Sequence, residues 1–81
     1  LSYILYIIYS HKLGKDYIGQ TSDLDARMKR HNGGRNPFTK RGVPWELVHF
    51  LNCDSRAEAM KLEKRIKNLG AKRFLERLKF G

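Results

Sequence analysis

The chain is short of several things that would otherwise define a small protein. It holds one cysteine, Cys53, and two prolines, Pro37 and Pro44, among 81 residues. A lone thiol excludes an internal disulfide, so a hydrophobic core must hold the fold; it suits a reducing compartment such as the cytoplasm, or else carries no information about compartment. Cys53 stands four residues after His49, but no Cys-x-x-Cys or second ligand pair accompanies them, which argues against zinc. No apolar run reaches membrane-spanning length. Leu1–Tyr9 is too short, lacks the basic flank and cleavage site of a signal peptide, and reads as a core strand; no membrane role is expected. Glycine-rich phosphate loops of the GxxxxGK and GxGxxG kinds are missing, and no serine sits in a recognisable nucleophile setting. Repeats and low-complexity tracts are absent as well.

Acidic residues are scarce, and their distribution is informative. Seventeen Lys and Arg stand against eight Asp and Glu, a net charge of +9. Between Ala26 and Trp45 there is no acid at all, while Arg27, Lys29, Arg30, Arg35, Lys40 and Arg41 all fall there. A small domain with this imbalance is suited to polyanions, nucleic acid first among them. Lys29, Arg30, Arg35, Lys40 and Arg41 are the candidate backbone contacts; the plain alternative is solvated charge that keeps the chain soluble.

What remains is enough for one domain over residues 1–81. Aliphatic and aromatic residues make up 41% of the chain, although a domain this short buries only about 60% of its unfolded surface. Ser2–Ser10, rich in Ile and Tyr, suits a strand buried on both faces. His11–Lys15 is a hairpin connection with Gly14 for the positive-φ position, and Asp16–Gln20 is the returning strand. Alternation puts Tyr6 on a face with Ile4 and Ile8, and Tyr17 on a face with Gly19. Ser22 with Asp25 resembles a capping box opening a helix that Gly33 or Gly34 ends. A basic loop over 32–44 leads to a third strand, Trp45–Leu51. Ser55 with Glu58 is a second capping box, opening a helix to Leu69 whose apolar stripe is Ala59, Leu62, Ile66 and Leu69. A short basic amphipathic helix, Ala71–Lys79, follows. The order ββαβαα predicts an α+β fold with a three-stranded antiparallel sheet flanked by helices.

The first helix carries the anomaly. At about 100° per residue, Leu24, Arg27, Met28 and His31 share its only apolar face. A guanidinium and an imidazole there are costly unless they have partners or a task. On the second helix, Glu63 flanks the apolar stripe. Together with Tyr6 and Tyr17 these residues suit attack on a phosphodiester. Arg27 can hold the anionic phosphate through its planar fork. Glu63 can bind Mg²⁺ or Mn²⁺, ions that accept one or two carboxylates plus substrate phosphate. Positive charge near Tyr6 or Tyr17 would favour the phenolate and let it position or deprotonate water, with His31 relaying a proton or contacting phosphate. Each residue also has an ordinary reading. The tyrosines can be amphipathic core residues, Arg27 can pair with Glu63 or Asp23, His31 can favour a helix C-terminus when protonated, and Glu63 can pair with Lys67 at i+4.

Taken in order, Tyr3-Ile4-Leu5-Tyr6-Ile7-Ile8, Tyr17-Ile18-Gly19-Gln20-Thr21, Asp23-Leu24 with Arg27 and His31, and Ser55-Arg56-Ala57-Glu58-Ala59 leading to Glu63 resemble the GIY-YIG nuclease superfamily. The loop Phe38-Thr39-Lys40-Arg41-Gly42-Val43-Pro44-Trp45 is similar to that of its small single-domain bacterial members. The first motif departs from the family, reading Ile4-Leu5-Tyr6 in place of Gly-Ile-Tyr. The family asparagine beyond the metal-binding helix has only Asn68 to match it. The resemblance implies a nuclease hydrolysing phosphodiesters with one divalent metal; a DNA endonuclease is the preferred reading, and an RNA-directed hydrolase is an alternative. Structure-selective cleavage or nicking in DNA repair or recombination is the expected role, with specificity read from branched, flapped or damaged DNA or supplied by a protein partner. It implies catalytic roles for Tyr6, Tyr17, Arg27, His31 and Glu63, with Gly19 allowing close packing, Glu63 holding the metal, and the general base open between the tyrosines. The alternative is a nucleic-acid-binding module of the same fold with little or no cleavage.

Overall fold

The first strand in the sequence takes the middle of the sheet. In a computed structural model describing residues 3–80, β1 (Tyr3–Ser10) pairs antiparallel with both β2 (Lys15–Thr21) and β3 (Trp45–Cys53), giving the order β2-β1-β3. Helix α1 (Leu24–Asn32) lies between β2 and β3 in the chain, and α2 (Arg56–Leu69) and α3 (Ala71–Phe80) follow. The order is therefore ββαβαα, as the periodicities predict. Ser2, expected to open the first strand, lies outside the described residues.

Residues opposite one another in the sheet share a face. Leu5 stands opposite Gln20 and Leu51, and Ile7 opposite Ile18 and His49. That face packs against α2 through Ala59 and Ile66, with Cys53 in the same core. Tyr6 stands opposite Gly19, Ile8 opposite Tyr17, and Ser10 opposite Trp45. The second face gathers Tyr6, Ile8 and Trp45 with Tyr17 and with Leu24 and Met28 of α1. The sheet thus separates two small cores, which explains why Leu5 to Ile8 are buried without alternation.

One irregularity decides what the second face contains. Ile7 pairs with His49 but Ile8 with Leu47, so Val48 has no opposite number and β3 carries a bulge. Strict alternation over Trp45–Leu51 would put Trp45, Leu47, His49 and Leu51 on a single face. The extra residue splits them. His49 and Leu51 stay on the α2 side, while Trp45 and Leu47 turn to the side of Tyr6.

The caps are partly as expected. Ser55 caps α2, its hydroxyl accepting from Glu58 N at 3.2 Å, while the Glu58 carboxylate accepts from Asp54 N at 3.0 Å. In α1 the cap is Asp23, not Ser22: its carboxylate accepts from Ala26 N at 3.0 Å. Thr21 Oγ1, accepting from Asp23 N at 3.1 Å, fixes Asp23 in that role.

The basic stretch after α1 is tied to the sheet rather than free of it. It contains a 3-10 turn, Lys40–Gly42. Ser10 Oγ donates to the Gly42 carbonyl at 2.7 Å, and Trp45 Nε1 donates to the Thr39 carbonyl at 2.7 Å. The Asn32 side chain at the end of α1 bridges the Trp45 backbone, accepting from N at 2.6 Å and donating to O at 3.2 Å. Gly42 is essential to this packing, because a Cβ there would lie 2.5 Å from Trp45 Cζ2 and 2.9 Å from Ser10 Oγ. Gly42→Ala is expected to destabilise the fold by about 1–3 kcal/mol, as overpacking does. Thermal denaturation checks this: a melting temperature equal to that of the parent chain would show that the contact relaxes freely.

Candidate active site

Tyr6 reaches the site by crossing its neighbour strand where that strand has no side chain. A Cβ at Gly19 would lie 2.5 Å from Tyr6 Oη and 2.6 Å from Cζ. Tyr17, two residues earlier on the same face of β2, brings its ring to 6.5 Å from that of Tyr6. Beyond them His31, in the last turn of α1, closes a triangle of rings, 5.8 Å from Tyr6 and 5.3 Å from Tyr17. The shared face of Leu24, Arg27, Met28 and His31 is the inward one. Leu24, Arg27 and Met28 are half-buried, and His31 is fully enclosed.

The enclosed imidazole is bonded on both sides. Its Nε2 lies 2.8 Å from Tyr6 Oη and its Nδ1 lies 2.7 Å from Thr39 Oγ1. Tyr6, His31 and Thr39 are all 0% exposed. Burial pushes the Tyr6 phenol up to about 12, even though the Arg27 guanidinium beside it pulls the other way. Arg27 thus favours the Tyr6 phenolate in the direction expected of surrounding positive charge, but desolvation outweighs it. Burial, then the charges of Arg27 and Arg30, lower the pKa of His31. Both groups are neutral at pH 7. That removes the reading of His31 as a protonated partner of the helix dipole.

Glu63 approaches from the α2 side of the sheet. Its Oε1 accepts from Gln20 Nε2 at 3.3 Å, and its Oε2 accepts from Lys67 Nζ at 2.7 Å. The ordinary i,i+4 pair is thus present, half-exposed and worth only a few tenths of a kcal/mol. The carboxylate also acts on the other face, since its charge is among the influences that raise Tyr6. Gln20, adjacent to Gly19, leaves its own Oε1 buried without a partner. These are hard oxygen donors of the kind Mg²⁺ or Mn²⁺ takes. Among the described residues no three His, Cys, Asp or Glu cluster around a common point. The donor set fits an ion that keeps its waters and shares a substrate phosphate, not a closed protein cage.

The remaining sequence candidates divide. Lys29, Arg30 and Arg35 line one open groove with Ala26 and Gly33. Lys40 and Arg41 are exposed on the 3-10 turn after Thr39. Arg27 forms no ion pair with Glu63 or Asp23 among the described residues. Asn68 lines a different groove, with Leu62, Phe74 and Arg77. Two participants had no assigned role in the sequence. Thr39 is an unremarkable threonine between Phe38 and Lys40, and nothing local marks it. Gln20 sits inside the Tyr17–Thr21 motif, where its contact with Glu63 has no sequence signal.

Both titrations bear on stability. His31 has a folded pKa below its ordinary 6.5, so the unfolded chain takes up its proton first. Stability is then full above about pH 6.5 and falls as acid is added. Tyr6 works at the other end: its folded pKa of about 12 exceeds the ordinary 10.0. Stability is full below about pH 10 and falls as pH rises toward 12. Urea denaturation across pH 5–11 should give a plateau between these limits. His31→Gln should flatten the acid limb and Tyr6→Phe the alkaline one, and limbs unchanged in those variants would refute the assignments.

Comparison with known proteins bears on the family and the fold. The GIY-YIG catalytic domain family matches residues 2–77. The UPF0213 protein BH0048 of Halalkalibacterium halodurans is 32% identical over 74 residues, covering 90% of this chain and 78% of that protein. A structure-specific endonuclease subunit, slx1, of Schizosaccharomyces pombe is 33% identical over 79 residues, covering 89% of this chain but 29% of the yeast protein. A UPF0213 protein of Haloquadratum walsbyi is 38% identical over 53 residues, and the match spans 60% of that relative's length. Among solved structures, the solution NMR structure of UPF0213 protein BH0048 from Bacillus halodurans superposes with a TM-score of 0.60 at 30% identity. It covers 99% of this chain and 85% of that one. The family match spans nearly the whole chain and the fold is that of the solved relative, and the chain belongs to the GIY-YIG family.

Proposed function

We propose that this protein is a divalent-metal-dependent endonuclease that hydrolyses phosphodiester bonds in DNA. The observation that carries this reading is the convergence of Tyr6, Tyr17 and His31 in one ring cluster beside Arg27, with Glu63 close enough for its charge to act on Tyr6. Packing alone asks for no guanidinium, imidazole and carboxylate around a buried phenol. The yeast relative's description as a structure-specific endonuclease subunit supports the reaction class and selection of the substrate by its structure.

In this reading a water oxygen attacks phosphorus in line and the opposite phosphorus–oxygen bond breaks. Arg27 holds the non-bridging oxygens and offsets their charge in the transition state. Tyr6 takes a proton from the water as its own phenol proton passes to His31 Nε2, so the phenolate need not accumulate despite its high pKa. Tyr17, half-buried and on the same face, orients the water or the phosphate. Glu63, with Gln20 at its side, would hold Mg²⁺ or Mn²⁺. When bound, the ion supplies charge neutralisation at the phosphate and assists departure of the leaving oxygen. Lys29, Arg30, Arg35, Lys40 and Arg41 contact the nucleic-acid backbone, and structure selectivity or a protein partner supplies specificity. A second reading, a binding module with weak cleavage, draws on one observation: Lys67 already occupies Glu63 Oε2.

Cleavage of linear and branched DNA, and of RNA, with and without Mg²⁺ or Mn²⁺, separates these readings. Arg27→Ala is expected to lower kcat about 10²–10³-fold, the scale of losing one transition-state donor. Glu63→Gln should abolish metal-dependent cleavage while leaving DNA binding intact. Binding without metal-dependent cleavage on any substrate would defeat the enzyme reading, and cleavage unaffected by Glu63→Gln would defeat the metal assignment. If the basic residues neutralise about five phosphates, log K should fall against log salt with a slope of roughly −4 to −5. Titrations from 50 to 300 mM salt measure it, and a near-zero slope would exclude the backbone contacts.

A further inference from the structure

His31 has two bonded nitrogens, and only one of them meets Tyr6. The other is held by a residue with no part in the reaction as described so far. Thr39 Oγ1 lies 2.7 Å from His31 Nδ1, and both residues are fully enclosed. Thr39 is itself immobilised. Its carbonyl accepts from Trp45 Nε1 at 2.7 Å, its N–H donates to the Asn36 carbonyl at 3.2 Å, and the turn it opens is pinned by Ser10 to the Gly42 carbonyl. A hydroxyl so fixed can select between the two tautomers of a neutral imidazole, because the bond made by one nitrogen decides which of them carries the proton.

The choice follows from the phenol. Tyr6 is buried, so its O–H must be directed at an acceptor. Among the described residues His31 Nε2 is the one acceptor recorded within hydrogen-bonding distance of Tyr6 Oη, while Arg27 on the other side offers only donors. Nε2 must then present its lone pair, and the proton resides on Nδ1. We propose that Thr39 is a positioning residue of the site: its Oγ1 accepts the Nδ1 proton of His31 and so leaves Nε2 open to the phenol proton of Tyr6. The effect on cleavage rests on the endonuclease reading; the tautomer does not.

The arrangement has a further consequence for catalysis. When the Tyr6 O–H bond breaks and an Nε2–H bond forms, the imidazole becomes cationic. Its charge and its Nδ1 proton must be accommodated among Tyr6, Tyr17, Arg27 and Arg30, the titratable and charged groups around it. Two of these are cations, so the Thr39 oxygen is the neutral acceptor that eases that step. A purely structural threonine would fill the same space without setting a proton.

Nitrogen-15 NMR of the ring, assigned by its disappearance in His31→Gln, reads the tautomer with no substrate present. The wild type is expected to show a protonated Nδ1 and an unprotonated Nε2. Thr39→Val, nearly equal in volume but lacking an acceptor, should shift the ring toward the Nε2–H form and move its titration to lower pH. In the cleavage assay the same variant should lose about 10–100-fold in kcat, the scale seen for groups that orient a functional histidine, with KM nearly unchanged. Thr39→Ser should restore the tautomer, the titration and the rate. A wild-type ring protonated on Nε2 would overturn the proposal, as would a Thr39→Val variant with unaltered tautomer and titration. Should that variant fail to fold, the wild-type tautomer still decides. Absence of cleavage by the wild type on every substrate defeats the endonuclease reading, and the NMR result continues to judge Thr39 by itself.

Discussion

The hydrogen bond between Tyr6 and His31 is the constraint around which the rest of the molecule is arranged. Both side chains are fully enclosed, and a buried polar group without a partner costs about 1–3 kcal/mol. Tyr6 belongs to the central strand and His31 to the end of α1, so satisfying the bond fixes how the helix sits on the sheet. The phenol can extend toward His31 because β2 has a glycine opposite it, leaving no Cβ in its path. The imidazole is then secured from behind by Thr39, and Thr39 by Trp45. Trp45 is on that side of the sheet because of the bulge at Val48. A local irregularity at one edge of the sheet therefore supports a polar chain that begins at its centre.

Two opposing influences set the chemistry of that chain. Arg27 favours the ionised phenol, whereas burial favours the neutral one, and burial prevails. The same burial, with Arg27 and Arg30, keeps the imidazole neutral. The pair therefore rests as a neutral phenol hydrogen-bonded to a neutral imidazole. Glu63 stands at the other side of the sheet with its two oxygens shared between Gln20 and Lys67. That sharing is compatible with a cation site whose formation would exchange an ammonium for a metal ion. It also keeps the carboxylate from being buried alone, which would be far more costly.

Much of this architecture was legible in the chain because the relevant signals are local. Apolar runs, hairpin glycine and capping serine marked the elements, and the 3.6-residue period placed Arg27 and His31 on the inward face of α1. Period-two alternation likewise put Tyr17 on a face with Gly19. The errors were also local. Ser22 was expected as a cap, but Asp23 takes the position because Thr21 holds its backbone. The alternation of Trp45–Leu51 suggested an uninterrupted strand, and no residue in it announces a bulge.

By itself, the sequence determined the order ββαβαα and the basic charge, and it singled out Tyr6, Tyr17, Gly19, Arg27, His31 and Glu63 as candidates, since these depend on residue type and short spacings. Only the tertiary structure decided that Tyr6 is neutral, because desolvation depends on how many groups surround the phenol and not on which residues adjoin it in the chain. Only the tertiary structure brought Gln20 to Glu63 and Thr39 to His31. Those contacts join segments 43 and 8 residues apart, and each depends on how helix, sheet and loop are docked. The two-sided burial of β1 set those relations, and with them which nitrogen of His31 faces the phenol.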